Sequence, residues 1–197
     1  MSLRRLITGS FVALPLALGL VACGSDSDAT TNSLAVGESP AVELNDVDIE
    51  FAQGMIAHHE QAIEMSEIAL DPNRGASEAV TDLARRIQSA QEPEVEQMTA
   101  VLVAAGESIT MDMSDGHDMS AMPGMMSADE MDALAELTGA DFDRVWLEMM
   151  IAHHEGAIEQ ASAVTENGSN ADLIALAAEI TTAQRAEIDE MKALLAD

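Results

Sequence analysis

The residues of this chain best suited to chemistry are two short runs of histidine, methionine and acid. Met55-Ile56-Ala57-His58-His59-Glu60-Gln61-Ala62-Ile63-Glu64 recurs 95 positions later as Met150-Ile151-Ala152-His153-His154-Glu155-Gly156-Ala157-Ile158-Glu159, with nine of ten residues identical. Four of the chain's five histidines lie in these two runs. At about 100° per residue on a helix, Met55, His58 and His59 share a face with Asp48, Ala52, Ala62 and Ser66. Gln53, Glu60, Glu64 and Glu67 fall on the opposite face. The Met55 thioether therefore stands one turn from both imidazoles. Asp143, Met150, His153, His154 and Ala157 repeat the arrangement.

A lone histidine on an apolar face is most often a core residue with one hydrogen bond. Two adjacent histidines, duplicated together with the same methionine and alanine, fit a ligand role better, because neutral imidazole is a common metal ligand. Di-iron bundles use Glu-x-x-His pairs. Here the positions three before each histidine hold Met55, Ile56, Met150 and Ile151. An oxygen-rich iron or manganese centre is therefore not encoded. Thioether with imidazole is a soft donor set, which favours Cu(I), or Ag(I) as its mimic, over hard cations. Imidazole must be neutral to bind, so such a site is expected to weaken as pH falls through about 6.5.

Helices must position these side chains. Asn45 or Asp46 can cap a helix running to about Leu70. Asp71-Pro72-Asn73-Arg74-Gly75 reads as a turn, and Ser77 can cap a second helix to about Ala104. Pro93 lies inside that helix and is expected to kink it. The second copy runs from Asp141 to about Thr165, turns through Glu166-Asn167-Gly168-Ser169-Asn170, and finishes from Ala171 to Leu195. Gln91 to Met98 matches Gln184 to Met191. One hairpin buries too little surface to stand alone. Two make a four-helix bundle, with residues 46–104 and 141–197 as its halves. With three Phe, one Trp and no Tyr, its core must be aliphatic. Folding each hairpin about its turn brings Gln91 and Glu94 level with Met55, and Gln184 and Glu187 level with the second copy. A side chain there could orient an imidazole from behind, as could Asp48 and Asp143 on the histidine helices.

Residues 105–140 are different in kind. Met111, Met113, Met119, Met122, Met125, Met126 and Met131 fall within 21 residues, with His117 among them. Gly116, Pro123 and Gly124 argue against regular helix before about Ser127. Met-x-Met and Met-x-x-Met spacings let two thioethers close on one soft ion. Methionine also fills core gaps, but a polar, broken segment is expected to have no core to fill. Soft-metal capture is the preferred reading, and a flexible peptide-binding surface is the alternative.

Residues 1–22 form a secretion signal, with Arg4 and Arg5 ahead of an apolar run. The signal ends Leu20-Val21-Ala22-Cys23, which resembles a bacterial lipobox. That resemblance implies cleavage before Cys23, lipidation of its thiol, and anchoring on the outer face of a bacterial membrane. Cys23 is the only cysteine in the chain, so no internal disulfide is possible. Residues 23–45 are Ser-, Thr-, Asp- and Gly-rich and read as a disordered tether. A formal net charge of −28 excludes nucleic acid as a partner. The sequence names no protein partner.

The run Met-Ile-x-His-His with Ala-Ile-Glu, followed one helix later by Gln-x-x-Glu-(Ile/Val)-x-x-Met, resembles domain of unknown function (DUF) 305. The resemblance covers about Asp46 to Asp197 and both copies. It implies an all-α, ferritin-like four-helix bundle and an extracytoplasmic protein associated with copper binding and tolerance. It points to Met55, His58, His59, Met65, Met98, Met150, His153, His154 and Met191. The counterpart of Met65 is Gln160, a departure at that position. The leading expectation is a non-enzymatic, lipid-anchored Cu(I)-binding protein without an organic cofactor. A ferritin-like metal-dependent oxidoreductase and a metal-free helical interaction module are the alternatives.

Overall fold

The computed structural model describes residues 42–111 and 122–196. The signal, Cys23 and nearly all of the tether lie outside the described residues, as do Met113, His117 and Met119. Among the described residues the chain forms five α-helices and no strand. None of these helices is long and apolar enough to cross a membrane.

Local sequence explains where the helices begin. α1 (Asp46–Leu70) starts with a capping box, in which Asn45 accepts from the Asp48 N–H and Asp48 accepts from the Asn45 N–H, both at 2.9 Å. α2 (Glu78–Ala105) is capped by Ser77 and ends at Gly106, whose φ of 80° suits glycine. α2 stays helical through Pro93. α3 (Ala128–Glu136) has a second capping box, Ser127 with Glu130. α4 (Gly139–Asn167) carries the second histidine pair. Asn170 caps α5 (Ala171–Leu194).

α1 packs on α2, α4 packs on α5, and α1 meets α4 along a central seam. The seam is antiparallel: Asp48 lies level with Ser169, His58 with His153, and Met65 with Trp146. The indole N–H of Trp146 donates to the Met65 carbonyl at 2.9 Å inside the core. The result is an all-α bundle built from two repeated hairpins.

The core divides in two. One cluster gathers Ala62, Met65, Leu83, Ile87, Trp146, Met150 and Met191 with their neighbours. The other gathers Phe51, Met55, Met98, Leu102, Ala157 and Ile180 with theirs. Between them lies a layer of buried polar residues: His58, His59, His153, His154, Gln91 and Gln184.

Two expectations are corrected by the packing. Asp48 and Asp143 do not orient imidazoles; each instead holds a helix start in the opposite repeat. Asp48 accepts from the N–H groups of Ser169 and Asn170 at 3.1 and 3.2 Å and from the Ser169 hydroxyl at 2.5 Å. Burial alone would raise its pKa, but these bonds, with that from Asn45, hold it below the usual carboxylate range. Asp143 accepts from the Ser77 N–H at 3.1 Å. The antiparallel seam puts each aspartate beside the other repeat's turn. The second correction concerns the insert, whose far end does have a core to fill. Met131 and Leu134 of α3 are buried, and Met126 packs against the same cluster. Arg74 donates to the carbonyls of Ala135 and Leu137, fastening α3 to the first hairpin's turn.

Candidate metal centre

The two copies of the histidine run meet across the α1–α4 seam. The rings of His58 and His153 lie 3.7 Å apart between centroids, tilted at 43°. All four histidines are fully buried. His59 and His154 turn outward from the seam, each toward its own hairpin partner. His59 Nε2–H donates to Glu94 Oε2 at 2.7 Å, and His154 Nε2–H donates to Glu187 Oε2 at 2.8 Å. The carboxylates lie on the solvent side of the layer, 20 % and 15 % exposed. Each therefore backs a buried ring while remaining partly hydrated.

These bonds select tautomers. A carboxylate or a backbone carbonyl only accepts, so the proton must sit on the nitrogen facing it. Glu94 places it on Nε2 of His59, and Glu187 places it on Nε2 of His154. The Pro123 carbonyl accepts from Nε2 of His58 at 3.3 Å. In the neutral form of each ring Nδ1 is then the nitrogen without a proton, and all three Nδ1 atoms are buried without a partner. Both ring nitrogens of His153 are buried without a partner as well. An unmet buried polar atom costs about 1–3 kcal/mol, so the layer is expensive as mere packing.

The two rings that meet at the seam, His58 and His153, stay neutral. Burial, with the neighbouring His59 and His154 imidazoles, pushes His58 down to about 3, against the smaller opposing effect of Pro123. Burial and the other three imidazoles also hold His153 well below its ordinary value. The expectation that proton competition sets in at about pH 6.5 is thus corrected for His58 and His153. In the folded protein they are already in the metal-binding form well below that pH.

Methionines flank the layer. Met55 and Met98 are fully buried on one side of it, and Met150 and Met191 on the other. Met65 is also fully buried, packed in the cluster around Trp146. Among the described residues no three His, Cys, Asp or Glu side chains are grouped closely enough to hold an ion by themselves. An ion held in the layer would therefore have to draw on thioethers as well. Gln91 and Gln184 are buried in the layer, but their amides make no hydrogen bond, so neither orients an imidazole. Of the described insert methionines, Met111, Met122, Met125 and Met126 are half-buried.

One stretch of the site is absent from any reading of the histidine runs alone. Pro123 and Gly124 press onto α4 at Gly156, and Gln61 holds Met126 by two backbone hydrogen bonds. The signal for this was present in the sequence. Gln61 and Gly156 are the one mismatched pair between the two ten-residue copies.

A model of the domain of unknown function DUF305 matches residues 48–195. The chain belongs to the DUF305 family. A DUF305 protein from Streptomyces coelicolor is 31% identical, with a TM-score of 0.69, and the match covers 76% of this chain and 92% of that one. A DUF305 fragment from Deinococcus radiodurans is 30% identical, also with a TM-score of 0.69, covering 78% and 97%. CopM in its Cu(II)-bound form is 33% identical, with a TM-score of 0.62, covering 76% and 95%. CopM structures in Cu(I)-bound and Ag-bound forms match similarly. No curated protein matches the chain. The bundle is thus a family fold, and one protein of this shape, CopM, has been seen holding copper and silver.

Proposed function

We propose that this protein binds a soft metal ion, Cu(I) in the cell and Ag(I) as its mimic, in the buried layer between its two hairpins. The carrying observation is the set of Nδ1 atoms on His58, His59 and His154, buried, fixed in orientation and without hydrogen-bond partners. His153 adds a fourth unpartnered ring. Thioethers of Met55, Met98, Met150 and Met191 lie on either side, and the mixed sulfur and nitrogen set suits a monovalent soft ion. Glu94 and Glu187 are the outer partners that fix ring orientation and raise ligand basicity. CopM, 30% identical in its Cu(I)-bound and Ag-bound forms, supports the same cargo here.

The ion is cargo rather than a catalyst on this reading, and the protein sequesters or hands over copper outside the cytoplasm. Lipidation at Cys23 would hold it at the membrane surface. The methionines of residues 105–140, with His117, would add weaker and faster-exchanging capacity. Ordering a glycine- and serine-containing chain costs roughly 1–2 kcal/mol per residue, whereas helical donors are already in place. The test is a competition titration of untagged protein against a Cu(I) chelator. Replacing His58, His59, His153 and His154 by Ala should abolish the tightest class of sites and leave a weaker class. A four-histidine variant that keeps the tightest class would show the layer to be structural.

A further inference from the structure

Three departures from repeat symmetry converge on one surface. In the repeat alignment Gly54 pairs with Met149, Gln61 with Gly156, and Met65 with Gln160. Four of these six residues, Gly54, Gln61, Gly156 and Gln160, gather around the short segment from Met122 to Met126. The Gln61 amide donates to the Met126 carbonyl at 2.8 Å and accepts from the Met126 N–H at 2.7 Å. Gly156 has no side chain, so the Pro123 carbonyl can rest on the α4 backbone where a Cβ would otherwise be. Gly124, at φ 79°, lies so close that a Cβ on it would be 2.7 Å from the Ala152 carbonyl oxygen and 2.8 Å from that of His153. Gly54 makes room for the Met122 methyl, 3.2 Å from where its own Cβ would stand, with Gln160 Oε1 at 3.1 Å from the same point. The Nε2 of Gln160 is buried without a partner.

The segment thus crosses the α1–α4 seam as a strap, pinned at both ends. Its Pro123 carbonyl holds the His58 N–H, and the His58–His153 pair beneath it is shut off from solvent. The pins are specific to one repeat each, so only one face of an otherwise twofold bundle carries the strap. We propose that the Met122–Met126 strap is the port through which a soft metal ion reaches and leaves the paired imidazoles, and that Gln61 and Gly156 are the residues that position it. This rests on the metal-binding reading above. Met122 is a thioether at the seam itself, next to the histidine face of α1, since Gly54 lies one turn before His58. An ion held there passes to imidazole by exchange of one neutral ligand for another, with no change of charge or oxidation state. The pass requires the Pro123–Gly124 turn to lift.

The layer also approaches solvent at the partly exposed Glu94 and Glu187, behind His59 and His154, and the experiment separates the two routes. Release of Ag(I) from the full chain into excess chelator would be followed by stopped flow for the unmodified protein, Gln61→Ala and Gly156→Ala. Bound silver per chain and helix content would be measured alongside. Losing the two hydrogen bonds of Gln61 should speed release from the slow class on the order of tenfold, with its stoichiometry kept. Gly156→Ala should do the same by pushing the strap off α4. It also raises helix propensity, so it keeps the test open should Gln61→Ala fold poorly. Release at the unmodified rate in both variants would route the ion past Glu94 or Glu187 and overturn the port alone. An unmodified chain that binds no silver would overturn both the port and the reading it rests on.

Discussion

His58 and His153 stand 95 positions apart in the chain, and their rings meet at 3.7 Å across the antiparallel α1–α4 seam. Duplication alone does not force that meeting. It follows from the two hairpins packing histidine face to histidine face, so that each copy supplies half of one layer. That layer interrupts an aliphatic core with imidazoles whose free nitrogens are unmet. Continuous hydrophobic packing would be more stable, so the layer is better explained by something it binds than by the fold it sits in.

Acid should weaken the apo fold through this layer. His58 is held down to about 3 and His153 well below its ordinary value. Their unfolded values are about 6.5. A base whose pKa is depressed on folding contributes full stability above the unfolded value. That contribution is lost as pH falls from there toward the folded value. The stability difference between the unmodified protein and His58→Leu/His153→Leu should therefore move against the unmodified protein from pH 7 to pH 5. The expected size is about 2 kcal/mol from His58, with His153 adding in the same direction. Chemical denaturation at both pH values measures it, and a difference independent of pH would contradict the account.

Glu94 and Glu187 should matter for affinity more than for the fold. Each is partly exposed and accepts one hydrogen bond from a buried ring. Glu94→Ala or Glu187→Ala frees the ring to turn and to change tautomer. Each should lower Cu(I) affinity on the order of 10–100-fold while the helices persist. Chelator competition with parallel circular dichroism would test this. Unchanged affinity in both variants would remove the carboxylates from the site.

Asp48 should behave in the opposite way. It serves both the start of α1 and the turn before α5, through bonds from Asn45, Ser169 and Asn170. Asp48→Ala should cost about 2–3 kcal/mol of stability, as expected for charge-assisted bonds, and leave Cu(I) affinity intact. Asp143→Ala, which loses one half-exposed contact to Ser77, should cost about 1 kcal/mol. Loss of the tightest metal sites in Asp48→Ala without loss of stability would reverse this assignment.

Much of this architecture can be read locally. Asn45, Ser77 and Asn170 are side-chain caps, and the doubled apolar stripes require two hairpins. Glu94 and Glu187 stand out as acids on otherwise apolar stripes, and the structure sets both on imidazoles. What is not local is not legible. The roles of Asp48 and Asp143 depend on which end of one hairpin meets which end of the other, and no periodicity encodes that. The strap depends on close approach between residues about 30 to 70 positions apart, where a few departures from the repeat, Gly156 and Gln61 among them, are the trace. The polar, broken character of the insert predicts that Met126 and Met131 have no core to fill. They pack because α3 starts at Ser127 and turns one short apolar face to the core.

The most direct test of the central claim is to locate the ion. Crystals of the mature chain loaded with one equivalent of Ag(I) would be measured for anomalous scattering. The account predicts a silver peak in the buried layer, bonded to Nδ1 of at least one of His58, His59 and His154 and to a thioether among Met55, Met98, Met150 and Met191. Silver found only on methionines of residues 105–140, with the imidazole layer empty and its rings unmoved, would contradict it.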